Sequence, residues 1–145
     1  ARIPVGLRAD TAEGIDALLR TPRLVVVVDG SAAAALVWAG ETVEERRKRL
    51  VAALRALHAR YRCDLDAVFS VDEGEPVGRV GRPGVRAVFS AAGEPVAEAM
   101  ARQVAALPAT VPVLAISSAP RLAAEAGRHG ATVIAVEPFR AALGA

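Results

Sequence analysis

Leu24 to Val28 is an unbroken run of five apolar residues, four of them valine, closed by Asp29 and Gly30. A run that short and β-branched has no polar face to turn to water, so it reads as a strand covered on both sides. Cover on both sides implies a parallel sheet between two layers of helices. In such open sheets, ligands meet the protein beyond the carboxyl ends of the strands, near the point where strand order reverses. Position alone therefore makes Asp29 a candidate site residue.

The rest of the chain fits that frame. Asp10 or Thr11 can cap a short helix running to Leu19, and Ser31 to Trp38 is an alanine-rich run of high helix propensity. Thr42-Val43-Glu44-Glu45 is a capping box, with the hydroxyl three residues before a carboxylate. Val43, Leu50, Leu54, Leu57 and Tyr61 then draw one continuous apolar stripe, the clearest helix in the sequence. Asp66 to Ser70 and Val85 to Phe89 predict strands, joined by a loop over Val71 to Pro83 rich in glycine, proline and acid. Pro95 in a first turn, followed by Val96, Met100, Val104 and Leu107, predicts another amphipathic helix. Val113 to Ile116 is a doubly buried strand, Pro120 opens a helix ended by Gly127 and Gly130, Thr132 to Val136 is the last strand, and Pro138 to Leu143 a terminal helix. Strands alternating with helix-length patterns predict a three-layer α/β/α domain with a central, mainly parallel five-stranded sheet.

A length of 145 residues suits one domain, with residues 1–9 as an extended lead-in or linker end. The start at Ala1 rather than Met reads as a piece cut from a longer protein. Cys63 is the lone cysteine, which leaves no internal disulfide and no support for a zinc cluster, and so points to a reducing cytoplasm. No apolar run reaches the roughly 20 residues needed to cross a bilayer, so membrane insertion is not expected. The formal charge is +2, with Lys48 the sole lysine among the basic residues, so an anionic partner would be met by arginine.

Three predicted strand ends converge on Asp29-Gly30-Ser31, Ser70-Val71-Asp72-Glu73 and Ser117-Ser118-Ala119, and the helix entry from Glu94 to Glu98 reaches the same rim. A magnesium site that cleaves a phosphodiester needs several oxygen ligands shared with the substrate phosphate. The chain offers Asp29 and Glu98, with Asp72 and Glu73 on the loop. Each also has an ordinary reading: Asp29 ordering the strand-to-helix turn, Glu98 favoured by a helix dipole, the loop acids simply solvated. Ser117 and Ser118 have no base placed beside them to make either a nucleophile. Arg79, Arg82, Arg86 and Arg121, with Arg128, could form a phosphate-binding rim, because guanidinium pairs bidentately with phosphate oxygens. His58, His129 and Cys63 read as structural, and Trp38 as a packing anchor or part of a partner surface.

Taken together, Val25 to Gly30, the long helix from Thr42, Ala67-Val68-Phe69, Gly84 to Ser90, Gly93-Glu94, Val113 to Ser118 and Gly130 to Ile134 resemble the YacP-like branch of NYN domains. The resemblance spans about Ile3 to Leu143 and rests on order and spacing. It implies a PIN-like fold associated with RNA binding and metal-dependent ribonuclease activity. The departures fall on the acids. Asp29-Gly30 is kept, but Ser31-Ala32 replaces the family's Tyr-Asn. Ser70 stands where the second strand normally ends in Asp, Ala97-Glu98 keeps one of an acidic pair, and Ala119 follows Ser117-Ser118 where an Asp is usual.

The sequence thus predicts a catalytically degenerate NYN-like module that binds RNA, another protein or the rest of its parent chain, and needs no cofactor. Vestiges of the catalytic site would be Asp29 and Glu98. The alternatives are a Mg²⁺-dependent endoribonuclease using Asp29, Glu98 and Asp72 as metal ligands, and a structural or dimerisation domain with Ala32 to Trp38 as its surface.

Overall fold

A computed structural model describes residues 10–73 and 84–144. Five strands, β1 (Val25–Asp29), β2 (Asp64–Phe69), β3 (Val85–Phe89), β4 (Val113–Ile116) and β5 (Thr132–Ile134), form one sheet in the order β3-β2-β1-β4-β5. Every neighbouring pair is parallel, with Val25 opposite Asp64 on one side and Val113 on the other. The valine run is the central strand, and Val26, Val27 and Val28 have no exposed surface. Strand order reverses at β1: the chain adds β2 and β3 outward on one side, then returns to add β4 and β5 on the other.

Among the described residues six helices cover the sheet: α1 (Ala12–Leu19), α2 (Gly30–Val37), α3 (Val43–Tyr61), α4 (Val96–Ala106), α5 (Pro120–His129) and α6 (Val136–Phe139). Alternation along the strands sorts the core into two layers. Val26, Val28, Leu65, Ala67, Phe69, Leu114 and Ile116 pack with α1, α2, α3 and α6. Val27, Val68 and Ala115 pack with α4 and α5 through Ala99, Met100, Val104 and Leu122. Each valine, leucine, isoleucine, methionine or phenylalanine side chain buried in this way contributes roughly 1.5–3 kcal/mol, and each alanine less. Among the described residues no helix is long and apolar enough to cross a membrane.

Local chemistry explains most boundaries. The Thr42 hydroxyl accepts the Glu45 N–H at 3.1 Å and starts α3, whose stripe Leu50, Leu54 and Leu57 is buried. Pro95 lies one residue before the first turn of α4, as its N-cap. Gly127 does not end α5: the helix runs through it to His129, and Gly130, in the left-handed region at φ 66°, closes it. β5 stops at Ile134 because Val136 already opens α6, which passes into a tight turn over Arg140–Leu143. The loop expected from Val71 begins as a single 3₁₀ turn, Val71–Glu73, and the remainder to Pro83 lies outside the described residues.

The apolar segment Ala32 to Trp38 is largely spent on the domain itself. Ala33 and Ala34 are buried, and Leu36, Val37 and Trp38 lie partly buried against the same core as α3 and α6.

Candidate functional site: the strand-end rim

At the carboxyl end of the sheet, β1 finishes in Asp29, and Ser70, Ser90 and Ser117 directly follow β2, β3 and β4. Most of the polar groups there are turned onto the protein's own backbone. Asp29 Oδ1 accepts the Ala32 N–H at 2.9 Å and so caps α2, the local role its position before a helix allows. The Ser31 hydroxyl accepts the Ser70 N–H at 2.9 Å, Ser70 Oγ accepts the Asp72 N–H at 3.2 Å, and Ser117 Oγ accepts the Ala119 N–H at 3.1 Å. Ser118 Oγ accepts the Val136 N–H at 3.2 Å. Ser90 Oγ is buried and has no hydrogen-bond partner among the described residues.

The carboxylates do not converge. The 3₁₀ turn swings Asp72 outward, where its Oδ2 accepts the Gly93 N–H at 2.8 Å. Glu73, the next residue, is the acid whose charge Asp29 feels. Burial first, and this like charge as well, raise the Asp29 pKa above its ordinary value, while the Ala32 N–H works the other way. Glu98, in the first turn of α4, faces α5: its Oε1 accepts the Arg121 Nε–H at 3.0 Å. Among the described residues no three carboxylate, histidine or cysteine groups come close enough to hold a metal ion. Asp29, Glu98 and Asp72, as placed, do not fit a divalent cation.

The arginines predicted to line a rim form no single cluster: among the described ones Arg121 and Arg128 share Glu125 along α5, and Arg86 lies apart. Arg79 and Arg82 lie outside the described residues. Arg86, in the second position of edge strand β3, donates through both Nε and Nη2 to the Asp66 carboxylate at 3.0 and 2.9 Å, with Gln103 Nε2 3.3 Å away. Arg121 lies beyond the opposite ends of the strands. Its Nη1 is 3.5 Å from Glu125, a buried carboxylate also approached by Arg128 at 3.3 Å and His129 at 3.5 Å. Sequence reasoning passed over Glu125, although its spacing from Arg121 and His129, one helical turn either way, is the available signal. Neither α4 nor α5 has a side-chain N-cap bond, so the positive ends of both dipoles face this rim.

The remaining residues singled out are structural. His58 Nδ1 is 2.7 Å from the Cys63 carbonyl, and the Cys63 thiol is packed away, its pKa pushed up to about 11 by burial. A separate groove of about 240 Å³ lies on the α3 side, floored by Val51, Phe69, Ala87 and Phe89. At its edge Arg47 donates to the Ser70 carbonyl at 2.7 Å and lies over the Phe69 and Phe89 rings.

No protein-family model matches this chain, and no curated protein matches it. Two crystal structures of Rae1 (YacP) from Bacillus subtilis are similar to it. A single-substitution variant superposes with a TM-score of 0.66 over 83% of this chain and 74% of that one. The unaltered protein gives 0.69 over 83% and 73%. The two proteins share a fold. Identity is 13% in both comparisons, so what the likeness to Rae1 carries is topology and not the chemistry of individual residues.

Proposed function

We propose that this chain is an RNA-binding domain on a PIN-like fold that has given up metal-dependent cleavage. The observation that carries the reading is the state of the strand-end rim. Of the acids that could hold a metal, Asp29 caps a helix, Asp72 is bound to a backbone N–H, and Glu98 is held by an arginine. The fold shared with Rae1 and the sequence resemblance to NYN domains support a nucleic-acid partner. Depleting carboxylates lowers the repulsion toward phosphate, and two uncapped helix N-termini with Arg121 between them favour an anion at the same rim. The site can therefore lose catalysis and still hold RNA.

The test is a fluorescently labelled single-stranded RNA titrated with the 145-residue chain, once in EDTA and once in Mg²⁺, with the same RNA run on a denaturing gel. Binding that survives EDTA, with no cleavage in either buffer, is the expected result. Mg²⁺-dependent cutting that disappears in Asp29→Asn would establish the endoribonuclease using Asp29, Glu98 and Asp72 instead. Absence of binding in both buffers would remove RNA as the partner.

A further inference from the structure

We propose that the groove between α3 and the edge strand β3 docks an extended acidic peptide of a partner protein, which lies beside β3 and sets one large apolar side chain on Phe89 between two carboxylates. This site is independent of whether the strand-end rim holds RNA. β3 closes one edge of the sheet, and among the described residues no strand pairs beyond it. The Gly84 carbonyl accepts the Leu65 N–H at 2.6 Å, and the Ser90 N–H donates to the Phe69 carbonyl at 2.9 Å. Alternate residues of a parallel strand face the same neighbour, so Gly84, Arg86, Val88 and Ser90 bond to β2, while Ala87 and Phe89 turn their N–H and C=O outward. Side-chain alternation puts these same two residues on the α3 face, where with Val51 and Phe69 they floor a cavity of about 240 Å³. Outward backbone groups and an apolar socket thus coincide on one edge, which is what strand addition requires. Sheet edges are commonly blunted by a charge. The one charge on β3, Arg86, is turned to the opposite face and held by Asp66 at 3.0 and 2.9 Å, so it does not guard this side.

Charge selects the occupant. Arg47, Lys48 and Arg55 of α3 line the groove against one acid, Glu44. Arg47 is buried over the Phe69 and Phe89 rings and closes one end. Lys48 meets Glu44 at 3.4 Å, but both side chains are 58% exposed, and such a pair contributes little and is readily exchanged. Arg55 has no ion-pair partner among the described residues. Lys48 and Arg55 lie two turns apart on one helix, roughly 10 Å along its axis at about 1.5 Å per residue. On an extended peptide, same-face residues four positions apart span about 13 Å. Acids two positions to either side of an apolar residue therefore reach both cations while that residue covers Phe89. The cavity is smaller than the roughly 300–1,000 Å³ of pockets built for cofactors. A nucleic-acid strand would meet the cations but leave the outward groups of Ala87 and Phe89 unmatched, whereas a peptide backbone pairs with them.

The experiment is fluorescence anisotropy of the labelled peptide Ser-Glu-Thr-Leu-Thr-Glu-Ser, whose symmetry suits either strand direction, titrated with the 145-residue chain. Its control is Ser-Thr-Glu-Leu-Glu-Thr-Ser, of the same composition and charge but with the acids on the face opposite the leucine. The first peptide is expected to bind at least ~10-fold more tightly than the control and to lose that advantage on Arg55→Glu. Bound peptide should also slow amide hydrogen exchange at Ala87 and Phe89. No binding, equal binding of the two peptides, or an affinity indifferent to Arg55→Glu overturns the proposal. So does exchange at Ala87 and Phe89 that the peptide leaves unchanged, since the contact would then lie elsewhere. Arg55 is exposed on α3, and the comparison of the two peptides needs only the unaltered chain, so the outcome does not hang on one variant. An oligouridylate that displaces the peptide and itself binds Arg55→Glu more weakly would assign the groove to nucleic acid. A dimer of the chain that Arg55→Glu dissociates, read by sedimentation, would assign it to a second copy. Either result overturns the proposal.

Discussion

A carboxyl whose pKa is higher in the folded chain than in the unfolded one holds its proton more tightly when folded, so its ionisation works against folding. Asp29 is such a group, raised by burial and by Glu73. Its cost is absent below the unfolded pKa and complete above the folded one. Asparagine keeps an oxygen for the Ala32 N–H and removes the charge, and the two residues are about equal as caps. Asp29→Asn should therefore melt at or above the parent at neutral pH, with the difference closing as pH falls through the carboxylate range. Asp29→Ala also loses the cap and should be lower by about 1 kcal/mol. Melting curves across pH check both; an Asn variant clearly weaker than the parent at neutral pH would mean that the charge is compensated by something bound. Cys63, 1% exposed and with its thiol shifted to about 11, should resist alkylation at neutral pH until the domain unfolds, a difference that intact mass spectrometry reads directly.

The junction of β1 with α2 depends on Gly30. A Cβ there would lie 2.7 Å from the Phe69 ring and 3.0 Å from the Val68 carbonyl, and Phe69 is fully enclosed by core. Gly30→Ala should cost about 1–3 kcal/mol by overpacking, measured by urea denaturation. The edge strand β3 has a different tether: the Asp66 side chain is only 4% exposed and Arg86 is its paired cation. Arg86→Ala leaves that carboxylate buried with Gln103 and should cost about 2–3 kcal/mol, most of it recovered by adding Asp66→Asn. These two elements also show where sequence reading succeeds and stops. Doubly buried β1 and β4 were legible, β1 to within one residue at each end, because continuous apolar runs permit little else, and the edge strand β3 was read from Val85 to Phe89 although Arg86 interrupts its apolar pattern. The start of β2 was not: the strand was expected from Asp66, whereas exposed Asp64 carries no apolar signal and joins β2 through its pairing with Val25. Gly127 looked like a helix end, but burial of Leu122 and Ala126 carries α5 past it. At the site, the places of Asp29 and Glu98 on their elements could be read. The direction in which Glu98 points is set by Arg121 on a separate helix, and a 3₁₀ turn decides that Glu73 rather than Asp72 faces Asp29; neither leaves a trace in local pattern.

Over the whole molecule a formal charge of +2 is too small to bind RNA by bulk attraction, so affinity has to come from cations gathered at one place. The strand-end rim offers Arg121 and the N-termini of α4 and α5; Arg128 and His129 share Glu125 with it but sit in the last turn of α5, away from the rim, and Arg86 is committed to Asp66 near the other end of the sheet. Each phosphate neutralised on a single strand contributes about −0.7 to the slope of log affinity against log salt. Contact with about three phosphates at this rim would thus give a slope near −2, well below that of a protein tracking a long stretch of backbone. Arg121→Gln should weaken binding and flatten the slope by about 0.7, one lost contact, whatever the RNA sequence. Arg86→Lys, which leaves the sheet edge paired, should leave the slope unchanged. Fluorescence anisotropy at several salt concentrations distinguishes the two. A slope that falls with Arg86 and is indifferent to Arg121 would put the RNA along the sheet edge and away from the strand ends.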